Sequence, residues 1–346
     1  MRSSQLIDFF QVEFSATSSG HHTPVMLWGP PGVGKSQVVH QAAATQDLPV
    51  IDVRLSQMEP TDLRGIPFRD GNHVVWAVPS LLPNLERHGP HGVLFLDEIN
   101  AAAPTVSAAA YQLILDRKLG EYQLPPGWSI VAAGNRQGDR GVTYTMPAPL
   151  ANRFTHFEFD VHLDDWVEWA YAHNVDSRVV GYLRYRPERL FEFEVSRSAG
   201  AFPSPRTWEF ASRALVKFAD SELLKDALRG CVGDAAGAEL HAFVMNAAQL
   251  PNLNDILEGR SVSIPNALDL QYAIVSAIVS HVRRHELSDH SLNYLLTFAE
   301  TFPARELGVL LVADLFKMLG ERLIHLDAFT PWASQHADLL VYDNRQ

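Results

Sequence analysis

The chain has 346 residues, 47% of them hydrophobic and 20% charged, with a formal net charge of −12. This length allows two or three domains with cores of their own, and the composition is typical of folded proteins and excludes wholesale disorder. The acidic balance disfavours nucleic acid as a partner, because such a surface repels phosphate on average. The single cysteine, Cys231, excludes an intrachain disulfide, and no run approaches the roughly 20 apolar residues of a membrane span. We therefore expect a cytoplasmic protein that does not cross a membrane.

The first half of the chain alternates short apolar runs with helical stretches, which predicts a parallel sheet covered by helices on both faces. The predicted strands are Val25–Trp28, Val50–Arg54, Val93–Asp97, Ser129–Ala133 and Thr155–Phe159. The predicted helices between them are Lys35–Thr45, Pro60–Gly65, Pro104–Asp116 and Pro147–Arg153. The Asp70-Gly71 turn signal predicts a hairpin over residues 66–78, and a shorter hairpin is predicted over residues 118–124.

After residue 160 the apolar residues recur at helical spacing only. The predicted helices are His162–His173, Asp176–Tyr185, Pro205–Ala219 and Glu222–Cys231, followed by a helical block over residues 267–340. A stretch that contains Pro and Asn, residues 250–266, separates that block from the others. We therefore predict three domains: an α/β domain over residues 1–160, a helical domain over 161–248 and a helical C-terminal extension over 249–346.

A glycine-rich segment follows the first predicted strand. It reads Gly29, Pro30, Pro31, Gly32, Val33, Gly34, Lys35, Ser36 and matches the phosphate-loop pattern G-x-x-x-x-G-K-[ST] in full. Its glycines allow backbone N–H groups to face phosphate oxygens, and the N-terminus of the next helix adds partial positive charge. The lysine would neutralise the β- and γ-phosphates, and the serine hydroxyl would bind Mg²⁺. All eight residues are therefore predicted to bind the nucleotide.

Two carboxylates follow the apolar strand residues Val93–Leu96. A buried strand of an open α/β sheet presents such residues at its carboxyl end, where these sheets bind ligands. We expect Asp97 to hold Mg²⁺ and Glu98 to act as the general base that activates the attacking water. The chain contains no Asn-Lys-x-Asp string, the usual guanine-reading motif, so ATP is the favoured nucleotide.

Three further segments, Ser129–Asn135, Pro147–Phe154 and Pro205–Trp208, complete a pattern that resembles the AAA+ ATPases. The hairpin at residues 66–78 resembles the helix-2 insert of the MoxR-like group within them. The resemblance covers roughly residues 20–230 and implies a P-loop NTPase sheet followed by a helical lid domain. It also implies three catalytic roles: Asn135 as sensor 1 at the γ-phosphate or the lytic water, Arg153 as the arginine finger, and Arg206 as sensor 2.

Each of these three residues also has a simpler interpretation. Asn135 could be a turn residue in the left-handed region, and Arg153 could be a solvated surface arginine. Arg206 could pair with Glu209, three residues further along its helix. Arg136 and Arg140 follow Asn135, and either is a weaker candidate for a second arginine that acts on a neighbouring subunit.

The resemblance implies an ATPase that remodels or matures a protein client. It implies a ring, commonly of six subunits, in which ATP lies between the α/β and helical domains and each Arg153 completes the next site. A head-to-tail cyclic interface can provide this arrangement, whereas an isologous one cannot. The resemblance further implies that the hairpins contact the client, and that a protein with a von Willebrand factor A domain is the partner.

Two alternatives remain from the residues themselves. The first is a DNA-directed AAA+ motor or loader, but in the longer hairpin Asp70 offsets Arg69, the only strong base, and in the shorter one Glu121 offsets Lys118. Such hairpins lack the row of bases that binding to phosphate backbones rewards. The second is a nucleotide switch without hydrolysis, which the intact Lys35 and the two carboxylates disfavour.

Overall fold

A computed structural model describes residues 1–136, 144–193, 200–247 and 250–336. Within this part of the chain the residues form two compact units, one up to residue 165 and one from residue 166 onward. No helix in the described residues is long and apolar enough to cross a membrane.

The strands of the first unit are β1 Val25–Trp28, β2 Val50–Arg54, β3 Ile66–Asp70, β4 His73–Ala77, β5 His91–Asp97, β6 Lys118–Leu119, β7 Tyr122–Gln123, β8 Gly127–Gly134 and β9 Thr155–Glu158. Five of them form a parallel sheet with the strand order β2-β5-β8-β1-β9. The antiparallel hairpins β3–β4 and β6–β7 are separate from this sheet.

Helices cover the sheet and then form the rest of the described chain. Up to residue 165 they are α1 Ser3–Ser18, α2 Lys35–Ala44, α3 Pro60–Arg64, α4 Leu85–His88, α5 Pro104–Asp116, α6 Ala148–Ala151 and the start of α7 Leu163–Ala172. The later helices are α8 Ser177–Tyr185, α9 Pro205–Lys217, α10 Leu224–Val232, α11 Asp234–Ala247, α12 Leu253–Leu257, α13 Leu268–Arg284, α14 Asp289–Ala299, α15 Arg305–Leu319, α16 Glu321–Ile324 and α17 Phe329–Gln335.

The predicted α/β class is confirmed, because every predicted strand joins the parallel sheet and both predicted hairpins form. The boundaries of three strands were wrong: β5 begins at His91 instead of Val93, β8 covers Gly127–Gly134 instead of Ser129–Ala133, and β9 ends at Glu158 instead of Phe159. The longer β5 and β8 pair from His91 and Gly127 onward, so the hydrogen-bonded ladder extends beyond the apolar run. Residues that continue such a ladder need not be apolar.

Helix α1 was not predicted. Its buried residues Leu6, Phe10, Phe14 and Thr17 recur at helical spacing. This face packs against α2 and β8, so the segment before the first strand belongs to the core of the sheet unit.

In the second unit, the helices of the predicted lid and of the predicted C-terminal extension pack together. A Cβ at Gly181 of α8 would lie 3.1 Å from Ala273 Cα of α13, so these helices touch at a glycine. Arg184 of α8 also forms a buried ion pair with Asp314 of α15, with 2.6 Å between nitrogen and oxygen. The division into three domains stays a prediction, and residues 166–336 form one compact unit where they are described.

Candidate functional site

The phosphate loop connects β1 to α2, and its backbone has the conformation that the glycines were expected to provide. Gly34 is the N-cap of α2 with a φ of 108°, and Gly32 has a φ of 80°, both in the region that L side chains rarely adopt. Gly34 offers no side-chain cap to the helix. The N–H groups of the first turn are therefore placed to bind an anion, as at other helix N-termini.

Lys35 is buried and lies at the centre of the site. Its Nζ donates to the carbonyl oxygens of Gly29 at 2.7 Å and Pro30 at 2.9 Å, and to Asn135 Oδ1 at 3.2 Å. The structure thus brings Asn135 next to the phosphate loop from a position 100 residues away. Asn135 is not among the described residues with positive φ, so its interpretation as a left-handed turn residue is wrong.

A second asparagine, which sequence reasoning missed, holds Asn135 in place. The buried Asn100 donates through Nδ2 to the Asn135 carbonyl at 2.7 Å and accepts from the Asn135 N–H at 3.2 Å. A Cβ on the preceding residue, Gly134, would lie 2.6 Å from Asn100 Oδ1. The absence of a side chain at Gly134 is what allows this two-way contact.

Asp97 is the last residue of β5, which pairs directly with β8 in the sheet. The pKa of its carboxyl is raised, mainly by burial. The backbone N–H of Glu98 and the charge of Lys35 lower this pKa, whereas the negative charges of Asp52 and Glu98 raise it. The Glu98 N–H donates to Asp97 Oδ1 at 2.8 Å. A divalent cation would supply the positive charge that offsets the desolvation of this carboxylate.

Glu98 has a φ of 56°, unusual for a residue with a side chain. Its carboxylate accepts a hydrogen bond from the hydroxyl of Ser56, which lies in the short 3₁₀ helix Leu55–Gln57 after β2. The positive φ turns the chain immediately after Asp97. The two neighbouring carboxylates then have different partners: Glu98 accepts from Ser56, and Asp97 accepts from the Glu98 N–H. Ser56 was not predicted, since a lone serine carries no signal in the sequence.

The proposed arginine finger lies outside this cluster. Arg153 follows the one-turn helix α6 between the buried residues Leu150 and Phe154, and its side chain is exposed with no partner among the described residues. Arg136 Nη1 lies 3.3 Å from Glu158 of the same chain, and Arg140 lies outside the described residues. The roles of these arginines on a neighbouring subunit stay predictions.

Arg206 belongs to the second compact unit, so its role at the nucleotide also stays a prediction. It is exposed in the first turn of α9, whose N-terminus is fixed by a capping box between Ser204 and Thr207. Its predicted alternative partner was wrong, because Glu209 instead forms an ion pair with Arg213.

The residues present suit ATP and Mg²⁺. Lys35 and the first turn of α2 supply the positive groups that phosphate oxygens need. Asp97 and Ser36 supply hard oxygen ligands, which Mg²⁺ prefers. These residues, on a parallel sheet with a glycine-rich loop after β1, define a P-loop nucleotide-binding domain.

Comparison with known proteins shows what this domain is similar to. Residues 24–154 match the AAA domain of the dynein-related subfamily. The chain is 28% identical over 158 residues to protein NorQ of Paracoccus denitrificans, a match that covers 43% of this chain and 57% of that protein. Residues 24–154 therefore match an AAA domain, in agreement with the resemblance of the sequence to the AAA+ ATPases. The chain matches little more than half the length of this relative.

Solved structures match over most of the chain but only loosely. A RuvB variant from Thermotoga maritima is 16% identical with a TM-score of 0.38, covering 96% of this chain and 88% of that one. A putative ATPase from Cytophaga hutchinsonii is 16% identical with a TM-score of 0.36, covering 89% and 88%. These likenesses are too weak to bear on function.

Proposed function

We propose that this chain couples the binding and hydrolysis of Mg-ATP to the remodelling or maturation of a protein client. The observation that carries the proposal is the convergence of Lys35, Asn135, Asp97 and Glu98 at one edge of the sheet of an AAA+ domain. Phosphoryl transfer is catalysed mainly by positioning and by charge stabilisation, and these are the residue types that it requires.

Within one subunit, the proposed roles follow from the contacts. Lys35 neutralises the phosphates, Ser36 and Asp97 hold Mg²⁺, and Asn135 contacts the γ-phosphate or the attacking water. Glu98 takes the proton of that water, with Ser56 orienting its carboxylate. The bound Mg²⁺ would contribute charge neutralisation at the β- and γ-oxygens.

The working assembly is proposed to be a ring, commonly of six subunits. The protein is proposed to be cytoplasmic. Arg153 supports this proposal because its exposed guanidinium has no partner among the described residues of its own chain. A head-to-tail interface would bring it to the γ-phosphate of the next subunit, where charge develops during hydrolysis.

The β3–β4 hairpin is the proposed client contact. Its side chains Ile66, Phe68 and Val74 are 65%, 51% and 62% exposed, which is unusual for a group of large apolar residues. Arg69, its one strong base, donates to the Gly71 carbonyl at the tip of the same hairpin. An apolar segment of a protein suits this surface better than a phosphate backbone.

The shorter β6–β7 hairpin is a poorer candidate for client contact than predicted. Leu119 and Tyr122 are buried, and the Tyr122 hydroxyl donates to the Pro83 carbonyl at 2.8 Å. This hairpin is part of the core, so we assign the client to β3–β4 alone.

The first test concerns chemistry. Glu98→Gln should retain ATP binding and lose turnover by about 100-fold or more, as expected for loss of a general base. Phosphate release and nucleotide binding are measured on the same preparation. Undiminished phosphate release would remove Glu98 from the mechanism.

The second test concerns the client. Phe68→Ser should weaken the stimulation of ATP hydrolysis by the client, or the remodelling of the client, without changing basal ATP hydrolysis. Val12→Ser is the matched control, because Val12 is 71% exposed on α1. A pull-down in the presence of ATP should recover a protein with a von Willebrand factor A domain. Equal effects of the two substitutions would argue against the hairpin as the client site.

The third test separates the proposal from a DNA-directed motor. Single- or double-stranded DNA should leave the hydrolysis rate unchanged. A strong stimulation that falls with added salt would favour the DNA-directed alternative.

A further inference from the structure

The imidazole of His156 connects two parts of the sheet unit that carry predicted site residues. His156 lies on β9, and its Nδ1 is 2.8 Å from Trp28 Nε1, with the two rings stacked at 6.0 Å and 6° between planes. Its Nε2 is 2.7 Å from the carbonyl oxygen of Ala151. An indole N–H only donates and a carbonyl only accepts, so a neutral ring with its proton on Nε2 satisfies both contacts.

Each contact lies next to a predicted functional residue. Trp28 ends β1 and immediately precedes Gly29 of the phosphate loop, while Ala151 ends α6, two residues before Arg153. Helix α6 has only four residues, too few to hold a helical turn without tertiary support. Two buried side chains, Leu150 and Phe154, fix the segment to the core, and His156 fixes its backbone between them.

We propose that His156 is a positioning residue for the arginine finger. Trp28 orients the ring and sets its tautomer, so that the Nε2 proton is donated to the Ala151 carbonyl. This hydrogen bond fixes the backbone of α6 and thereby the direction in which the Arg153 side chain extends into solvent. This inference rests on the proposed function, in which Arg153 completes the site of a neighbouring subunit. His156 itself contacts neither nucleotide nor water in this scheme.

Conservative substitutions separate the two contacts. His156→Gln keeps an amide donor near the position of Nε2, whereas His156→Asn keeps an acceptor near the position of Nδ1. We expect His156→Ala and His156→Asn to lower kcat by about 5- to 10-fold, since small misplacement of a catalytic group is costly. His156→Gln should stay within about twofold of wild type, and the KM for ATP should be unchanged in all three. A wild-type kcat in His156→Asn together with a lowered kcat in His156→Gln would overturn the proposal. A wild-type kcat in His156→Ala would also overturn it.

Mixed assemblies identify the site that His156 serves. His156→Ala subunits have an intact phosphate loop, so mixing them with Lys35→Ala subunits, which keep their finger, should restore hydrolysis. Mixing them with Arg153→Ala subunits should not, because neither partner then offers a competent finger. The reverse pattern would show that His156 acts on its own phosphate loop through Trp28 and would overturn the proposal.

The control mixture of Arg153→Ala with Lys35→Ala tests the underlying function. Recovery of activity there supports a finger that acts between subunits, and the His156 mixtures can then be interpreted as above. No recovery in the control would refute the finger itself, and the role of His156 with it. Because His156 is exposed, the thermal unfolding midpoints of its variants should stay close to wild type, which excludes misfolding as the cause.

Discussion

Lowering the pH should destabilise the sheet unit through a single buried histidine. His22 Nε2 lies 3.3 Å from the backbone nitrogen of Ile130, in the middle of β8, and accepts its N–H. Its Nδ1 lies 3.3 Å from the Thr17 hydroxyl, which itself donates to the Glu13 carbonyl, so Nδ1 carries the proton. Both ring nitrogens are thus satisfied in the neutral form. A second proton would set Nε2–H against the Ile130 N–H.

The magnitude follows from the pKa of the imidazole. Burial, and secondarily the charge of Arg117, lower the pKa of His22 to about 3. The unfolded chain, with an ordinary histidine pKa of about 6.5, therefore binds more protons between these two values, and stability falls as the pH falls. Linkage gives a loss of about 2 kcal/mol from pH 7 to pH 5 and about 3 kcal/mol by pH 4. Glu13 acts in the opposite sense, because burial raises its pKa.

Urea unfolding at pH 4, 5, 6 and 7 tests this reasoning, with His22→Gln as the reference. Glutamine can accept the Ile130 N–H but does not titrate, so the difference between the two proteins reports His22 together with its contact to the Glu13 carboxylate, whose Oε1 lies 3.5 Å from Nδ1. Wild type should lose stability more steeply than the variant below pH 6.5. Parallel pH profiles would show that His22 does not remain neutral in the folded protein.

Three further substitutions test other contacts. Ser56→Ala should lower kcat by about 3- to 10-fold with little change in KM, because the hydroxyl orients Glu98; an unchanged kcat in steady-state hydrolysis would contradict this. Gly34→Ala should weaken ATP binding by more than about 10-fold in a titration, since a φ of 108° strains any side chain while the nearest atom to its Cβ, on the Phe159 ring, is 4.0 Å away. Asp314→Asn should cost about 3–5 kcal/mol in denaturant unfolding, because it leaves the Arg184 charge buried without its carboxylate.

The sequence predicts the parts of this molecule that depend on local pattern. Residues 29–36 require a strand before them and a helix after them, and the structure provides both. The positions of Asp97 and Asn135 could also be predicted, because parallel strands present their carboxyl ends at one edge of the sheet. The contact of Lys35 with Asn135 follows from that topology.

Tertiary contacts between residues that are distant in the sequence could not be predicted. Asn100 reaches the site from the turn after β5 and Ser56 from the short 3₁₀ helix after β2, and neither belongs to a motif that spacing reveals. The burial of His22 also has no signal in the sequence, and it becomes clear only from the packing of α1, whose Thr17 contacts the imidazole. The ion pair of Arg184 and Asp314 joins residues 130 positions apart, and local sequence pattern carries no signal for such a distant pair.

Arg206 illustrates a conflict between stability and function that makes a last prediction. A cation in the first turn of a helix is unfavourable, because the helix N-terminus already carries partial positive charge. Arg206 nevertheless occupies that position in α9, and the nearby Glu209 pairs with Arg213. Its location therefore has no benefit for folding, whereas an anionic ligand such as a γ-phosphate would favour both the guanidinium and the helix end.

Arg206→Glu should consequently stabilise the protein by about 0.3–1 kcal/mol and lower ATP hydrolysis. Glu209→Gln is the matched control, since it changes a charge one turn further along and should leave hydrolysis unchanged. Urea unfolding and phosphate release, measured on both variants, would reveal the opposing effects. If Arg206→Glu loses stability, the arginine contributes to folding and the argument for an anionic ligand fails.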